Sequence, residues 1–139
     1  MLNTKDIDQS KANETVAAVI GMDIVRYEQA LFNYARDFSK DYDSGYWPWT
    51  EVGDSFLMLM HGDELYTIET ADKGKIELNA KFYSIAVNLV VLSRMYSAAT
   101  DTERANWYAV QHEALKGMID DLAVDESTTS QAETLKTYL

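Results

Sequence analysis

The chain contains no cysteine, which excludes disulfides, thiolate metal sites and cysteine nucleophiles together. Its six glycines are too dispersed for a phosphate cradle, and neither GxGxxG nor GxxxxGK(S/T) occurs. Ser44–Gly45 stands in no nucleophile-elbow pattern. The two histidines, His61 and His112, lack partners at metal-ligand spacing, so both are expected to be solvated surface side chains. Positive charge is scarce as well. Twelve basic residues face 23 acidic ones, for a net charge of −11. Duplex affinity rests on Lys and Arg meeting phosphates, so direct nucleic-acid binding is not expected. Long apolar runs are also missing. The most apolar stretch, Phe82 to Ala99, is interrupted by Asn88, Ser93 and Arg94, which fits a central core helix and not a membrane span. The first fifteen residues carry no charged-then-apolar leader, and a cytoplasmic protein is the expectation.

The sequence does have the apolar and aromatic content of a folded protein, 47% and 12% of 139 residues. Length and composition predict one domain with a real core. Residues 1–14 are polar and patternless and read as a flexible N-terminus. A single α+β domain is expected over 15–124, and 125–139 reads as a polar tail. From Ile20 to near Asp41 the positions Ile24, Tyr27, Leu31, Tyr34, Ala35 and Phe38 form one helical stripe, with Arg26, Glu28, Arg36 and Asp37 opposite. The period then changes. "YWPWTEV", "SFLMLMH" and "LYTIETA", separated by "GD" and "HGDE", predict an antiparallel meander of three strands, and Ile76 to Leu78 a short fourth. Tyr66 and Ile68 should face inward. "FLMLM", apolar throughout, predicts a central strand covered on both faces, or one with a face given to a partner. Asn79 is the expected N-cap of a helix over 80–98, and Thr100 or Asp101 that of a last helix ending near Ala123. Its apolar face would hold Trp107, Val110, Ala114, Met118 and Leu122. The fold class is therefore α+β: a small meander of three to four strands packed with about four helices.

"DYDSGYWPWTEVGDSF", residues 41–56, places Trp47 and Trp49 around the only proline. Alternation would put Trp47, Trp49 and Glu51 on one face and Tyr46, Thr50 and Val52 on the other. Pro48 cannot donate to a ladder, so an edge strand or a bulge is expected. Two pictures fit: aromatics packed as core under helices, or one tryptophan exposed as a protein-contact anchor. A sugar-stacking platform lacks the convergent polar groups it would need.

This segment, with "YEQALFNYARDFSKDY" before it and an apolar helix after it, resembles the KlcA/ArdB antirestriction family. The matching positions are Asp41, Tyr42, Gly45, Tyr46, Trp47, Trp49, Glu51, Val52 and Phe56, with Glu28 and Tyr34 in the preceding helix. The likeness runs from about Ile20 to Ala99. Ser44 stands where the family has the first of two glycines, and Trp49 where it has a phenylalanine. The resemblance implies the family's α+β fold, with Tyr42, Gly45, Tyr46, Trp47, Trp49 and Phe56 as structural motif residues. It implies protection of incoming plasmid or phage DNA from host type I restriction enzymes; action by protein contact, with no catalytic residue, metal or cofactor, is the expectation. Simple DNA mimicry is not the family's expected mode, in line with carboxylates scattered along the chain in doublets such as Asp63–Glu64 and Asp120–Asp121. A DNA-mimic-like inhibitor of a restriction or CRISPR complex is one alternative. A ligand-binding domain with a pocket at Trp47 and Trp49 is another. The candidate contact surface is the acidic rim Asp43, Glu51, Asp54, Asp63 and Glu64, residues that read equally as solvated turn positions.

Overall fold

The computed structural model describes residues 9–124 apart from 44, 54, 63 and 71–73. Its elements run α1 (Gln9–Ile20), α2 (Asp23–Phe38), β1 (Trp49–Val52), β2 (Ser55–Met58), β3 (Leu65–Thr70), β4 (Gly74–Asn79), α3 (Ala80–Ala98) and α4 (Thr102–Val124). The four strands are antiparallel, but they form two separate hairpins, β1–β2 and β3–β4, in place of one meander.

The core is built around α3. Asn79 caps it as the sequence predicts, its side-chain oxygen accepting from the Phe82 amide at 3.0 Å. From Phe82 to Leu89 every residue is buried, because α2, α4 and the β3–β4 hairpin surround the helix. That enclosure explains why its sequence is apolar on all sides. On α2 the expected stripe holds: Tyr27, Leu31 and Ala35 are buried, while Arg26, Glu28, Arg36 and Asp37 face water. In β3, Tyr66 and Ile68 point inward, as alternation requires.

Three expectations are corrected. Residues 9–14, assigned to a flexible end, form the first turns of α1, whose Ala12, Val16 and Ile20 are buried one turn apart. The helix expected from Ile20 begins only at Asp23, because Ile20 is the last residue of a separate helix, α1. Gly21 ends α1 at φ 57°, in the left-handed region, and its amide donates to Ala17 O at 2.8 Å. On α4, Val110 is 60% exposed, while Tyr108, Gln111, Leu115 and Ile119 are buried beside Trp107, Met118 and Leu122. The buried stripe is therefore rotated from the one read off the sequence.

Side chains explain why the hairpins do not join. The edge of β2 turned away from β1 meets helices and not β3. Met58 N donates to the Tyr27 hydroxyl at 3.1 Å, while Met58 O accepts from Asn88 Nδ2 at 2.8 Å. Two residues on, Met60 N donates to Ser84 Oγ at 2.9 Å. The Tyr27 hydroxyl donates in turn to Asn88 Oδ1, and Asn88 Nδ2 also reaches Ser84 O at 2.9 Å. A buried edge must be satisfied somewhere, and here Tyr27, Ser84 and Asn88 replace a third strand. Thr67 N of β3 likewise donates to Asp41 Oδ2 at 3.0 Å, tying that hairpin to the segment after α2.

Candidate functional site

The residues between α2 and β1 make a compact turn before they make a strand. Ser39 ends α2, its hydroxyl accepting from Asp41 N at 3.2 Å and its carbonyl from Tyr42 N at 3.3 Å. That turn sends the Tyr42 ring inward. Tyr42 lies against Tyr83 and Tyr66, with centroids 6.1 and 6.0 Å away, and Tyr66 stacks on Tyr83 at 4.7 Å. Trp47 Nε1 donates to the Tyr42 hydroxyl at 3.1 Å, and its ring meets Phe32 edge-on at 6.0 Å. Trp49 packs on Tyr27 at 6.1 Å.

Trp47 and Trp49 are 3% and 4% exposed, so the tryptophans are core wall. Strand alternation fails before residue 49, because β1 begins only after Pro48. Pro48 O still accepts from Leu59 N at 3.2 Å, extending the hairpin by one bond. The exposed aromatic is instead Tyr46, at 74%. Gly45 beside it is closely approached: a Cβ there would lie 2.7 Å from Met60 Sδ, so any larger residue would have to displace the Met60 side chain. Phe56 is half-buried against the core.

Tyr46 stands between two open clefts. One, of about 400 Å³, is lined by Gly45, Tyr46, Pro48, Met60, His61, Glu64 and Tyr66. Burial, the Glu64 carboxylate and the neighbouring Tyr42 raise the Tyr66 phenol above its usual range, so it stays neutral at physiological pH. The other, of about 610 Å³, lies between α1, α2 and the 45–49 segment. Asn13, Glu14, Glu28, Phe32, Tyr46, Trp47, Trp49 and Met58 line it together with Gly45. Glu14 and Glu28 are exposed, and neither forms an ion pair with a described residue.

Of the acidic rim expected from the sequence, Asp43, Glu51 and Glu64 are exposed. They stand on three different segments: the turn after α2, β1 and the approach to β3. Asp54 and Asp63 lie outside the described residues. Sequence reasoning missed Glu14 altogether, because it lies in α1. The apolar residues Ala12, Val16 and Ile20 at a spacing of four were the available signal.

The histidines differ from the expectation of free solvation. His61 is exposed, but its Nε2 lies 2.8 Å from Thr50 Oγ1. Thr50 spends its hydroxyl proton on Pro48 O at 3.2 Å, which leaves it to accept from His61. His112 is half-buried on α4. Burial, then the adjacent Lys116, depress its pKa below 6.5, against the opposing pull of Glu113. Below pH 6.5 the unfolded chain therefore binds more protons at this site than the folded one, until the folded pKa is passed. Stability should fall as pH drops through that window. Denaturant titrations at pH 7.5 and pH 5.5 should show a smaller loss in His112→Gln; an unchanged loss would place the linkage elsewhere. Among the described residues no group of three His, Asp or Glu could hold a metal ion, and no helix is long and apolar enough to cross a membrane.

Among the described residues, four helices around two separate antiparallel hairpins, with an aromatic wall between α2 and β1, define an α+β architecture. No family model and no curated protein matches the chain. Its fold is that of the KlcA and ArdB proteins. The chain superposes on their solved structure with a TM-score of 0.74, covering 96% of this chain and 94% of that one at 18% identity. Those proteins are described as showing a novel fold and antirestriction activity against type I DNA restriction systems in vivo but not in vitro.

Proposed function

We propose that this protein is an antirestriction factor: inside the bacterial host it protects incoming plasmid or phage DNA from type I restriction, by protein contact and without catalysis. The observation that carries the reading is end-to-end likeness of fold to proteins with that activity. The identifying stretch from Asp41 to Phe56 supports it from within. Its Tyr42, Trp47 and Trp49 build the aromatic wall, which leaves the polar and exposed positions around them for contact.

The distribution of charge favours contact over imitation of DNA. Duplex mimicry needs carboxylates at regular high density along one long face. Here exposed carboxylates are spread over α2 (Glu28, Asp37), β1 (Glu51) and α4 (Glu103, Glu113, Asp120, Asp121). The partner is a component of the type I enzyme or a host protein acting on it; the second accords with the structural relatives' activity, described as present in vivo but not in vitro.

Transformation by an unmodified plasmid tests the reading. In cells carrying a type I system, expression of the protein should restore transformation toward the level of a restriction-deficient host. Transformation that stays at the restricted level contradicts it. If the purified protein competes with DNA for the isolated nuclease, and does so less as salt rises, the mimic mechanism replaces contact.

A further inference from the structure

The larger cleft beside Tyr46 combines aromatic walls with two carboxylates. Its walls are aromatic: Phe32, Trp47 and Trp49 form the inner side, and Tyr46, with most of its ring in water, forms the rim. Two carboxylates stand over those walls, Glu14 from α1 and Glu28 from α2, the latter one turn before Phe32. No lysine or arginine is among the residues that line it, and no described cation neutralises either glutamate. By contrast, Asp23 on the same helix is held by Arg104 at 3.5 Å and accepts from Tyr108 at 2.8 Å.

We infer that this cleft seats an arginine side chain of the protein partner. The inference rests on the contact reading above. Carboxylates that no described cation neutralises, beside the exposed Tyr46 ring and the half-buried Phe32, attract a cation twice, by charge and by the ring quadrupole. A guanidinium suits the site better than an ammonium. It is planar, lies flat on an aromatic face, is weakly hydrated, and presents a fork of donors suited to carboxylates. Tyr46 then acts as the contact anchor, the role for which the sequence offered a tryptophan.

The test uses the full chain and a hexa-arginine peptide, read by the indole N–H resonances of Trp47 and Trp49, with Trp107 as an internal control. The wild type should show saturable shifts at Trp47 and Trp49 only. Glu14→Gln/Glu28→Gln should weaken binding roughly five- to tenfold, the scale of two exposed ion pairs. Tyr46→Ala should weaken it several-fold as a cation–π contact is lost. Glu103→Gln/Asp121→Asn, which removes the same charge from exposed positions on α4, should change it less than twofold. Equal weakening in both double variants would show that only the net charge is read and would overturn the inference. So would equal binding of hexa-lysine, or an absence of saturable shifts. In cells the two readings separate. If Glu14→Gln/Glu28→Gln protects DNA as well as the wild type, the arginine seat falls and the antirestriction reading stands. If the wild type gives no protection yet binds the peptide through Glu14 and Glu28, the seat stands and the antirestriction reading falls.

Discussion

Asn88→Ala should destabilise the domain by about 3–5 kcal/mol, a large part of the roughly 5–15 kcal/mol that holds such a fold. Asn88 sits inside the most buried stretch of α3, with no exposed surface. Its amide gives one proton to Met58 O, and its oxygen takes the Tyr27 hydroxyl proton. Truncation strands a carbonyl and a phenol in the core, each at about 1–3 kcal/mol, and leaves a cavity besides. The edge of β2 would lose the group that stands in for a neighbouring strand. Tyr27→Phe acts on the same network from α2, freeing Met58 N and Asn88 Oδ1. The two losses share partners, so the double variant should be less damaged than the sum, by about 1 kcal/mol or more. Urea unfolding measures both. A cost below about 1 kcal/mol for Asn88→Ala would mean that β2 does not depend on α3 in this way.

Trp47→Ala should cost a similar amount, about 3–5 kcal/mol, through a different mechanism. The indole is buried between Phe32 and Tyr42, so removal leaves a large apolar void and an unpaired Tyr42 hydroxyl. Trp47→Phe tests the same wall more gently. It keeps one aromatic ring but loses the indole N–H and part of the bicycle, so its cost should be smaller, at about 2–3 kcal/mol. If Trp47→Ala were as mild as a surface change, the segment after α2 would not be the wall that the geometry makes it. The same comparison guards the cellular assays, because loss of protection in Trp47→Ala reports lost fold and not a lost contact.

Local signals in the sequence were reliable where one element carried them whole. Asn79 before an apolar run gives α3 its start, and Tyr66 alternating with Ile68 gives β3 its inner face. The split of the sheet was not legible. It depends on Tyr27, Ser84 and Asn88 meeting Met58 and Met60 across 24 to 31 positions of sequence, and on no turn residue. Each of those side chains alone reads as an ordinary helical residue. β1 misled for a local reason: Pro48 delays the strand, so Tyr46 escapes the alternation and turns to water. The Tyr46 cleft was invisible for a third reason. It needs Glu14 and Glu28 from two helices that read as one helix and a loose end, and only the turn at Gly21 brings both helices beside residues 45–49.

The central claim is protection of foreign DNA inside the cell, and phage plating measures it most directly. Unmodified phage would be plated on matched hosts with and without a type I system, each with and without the protein. With the protein present, plating on the restricting host should rise toward that on the restriction-deficient host, and the latter should stay unchanged. Plating on the restricting host that is the same with the protein as without it would contradict the account.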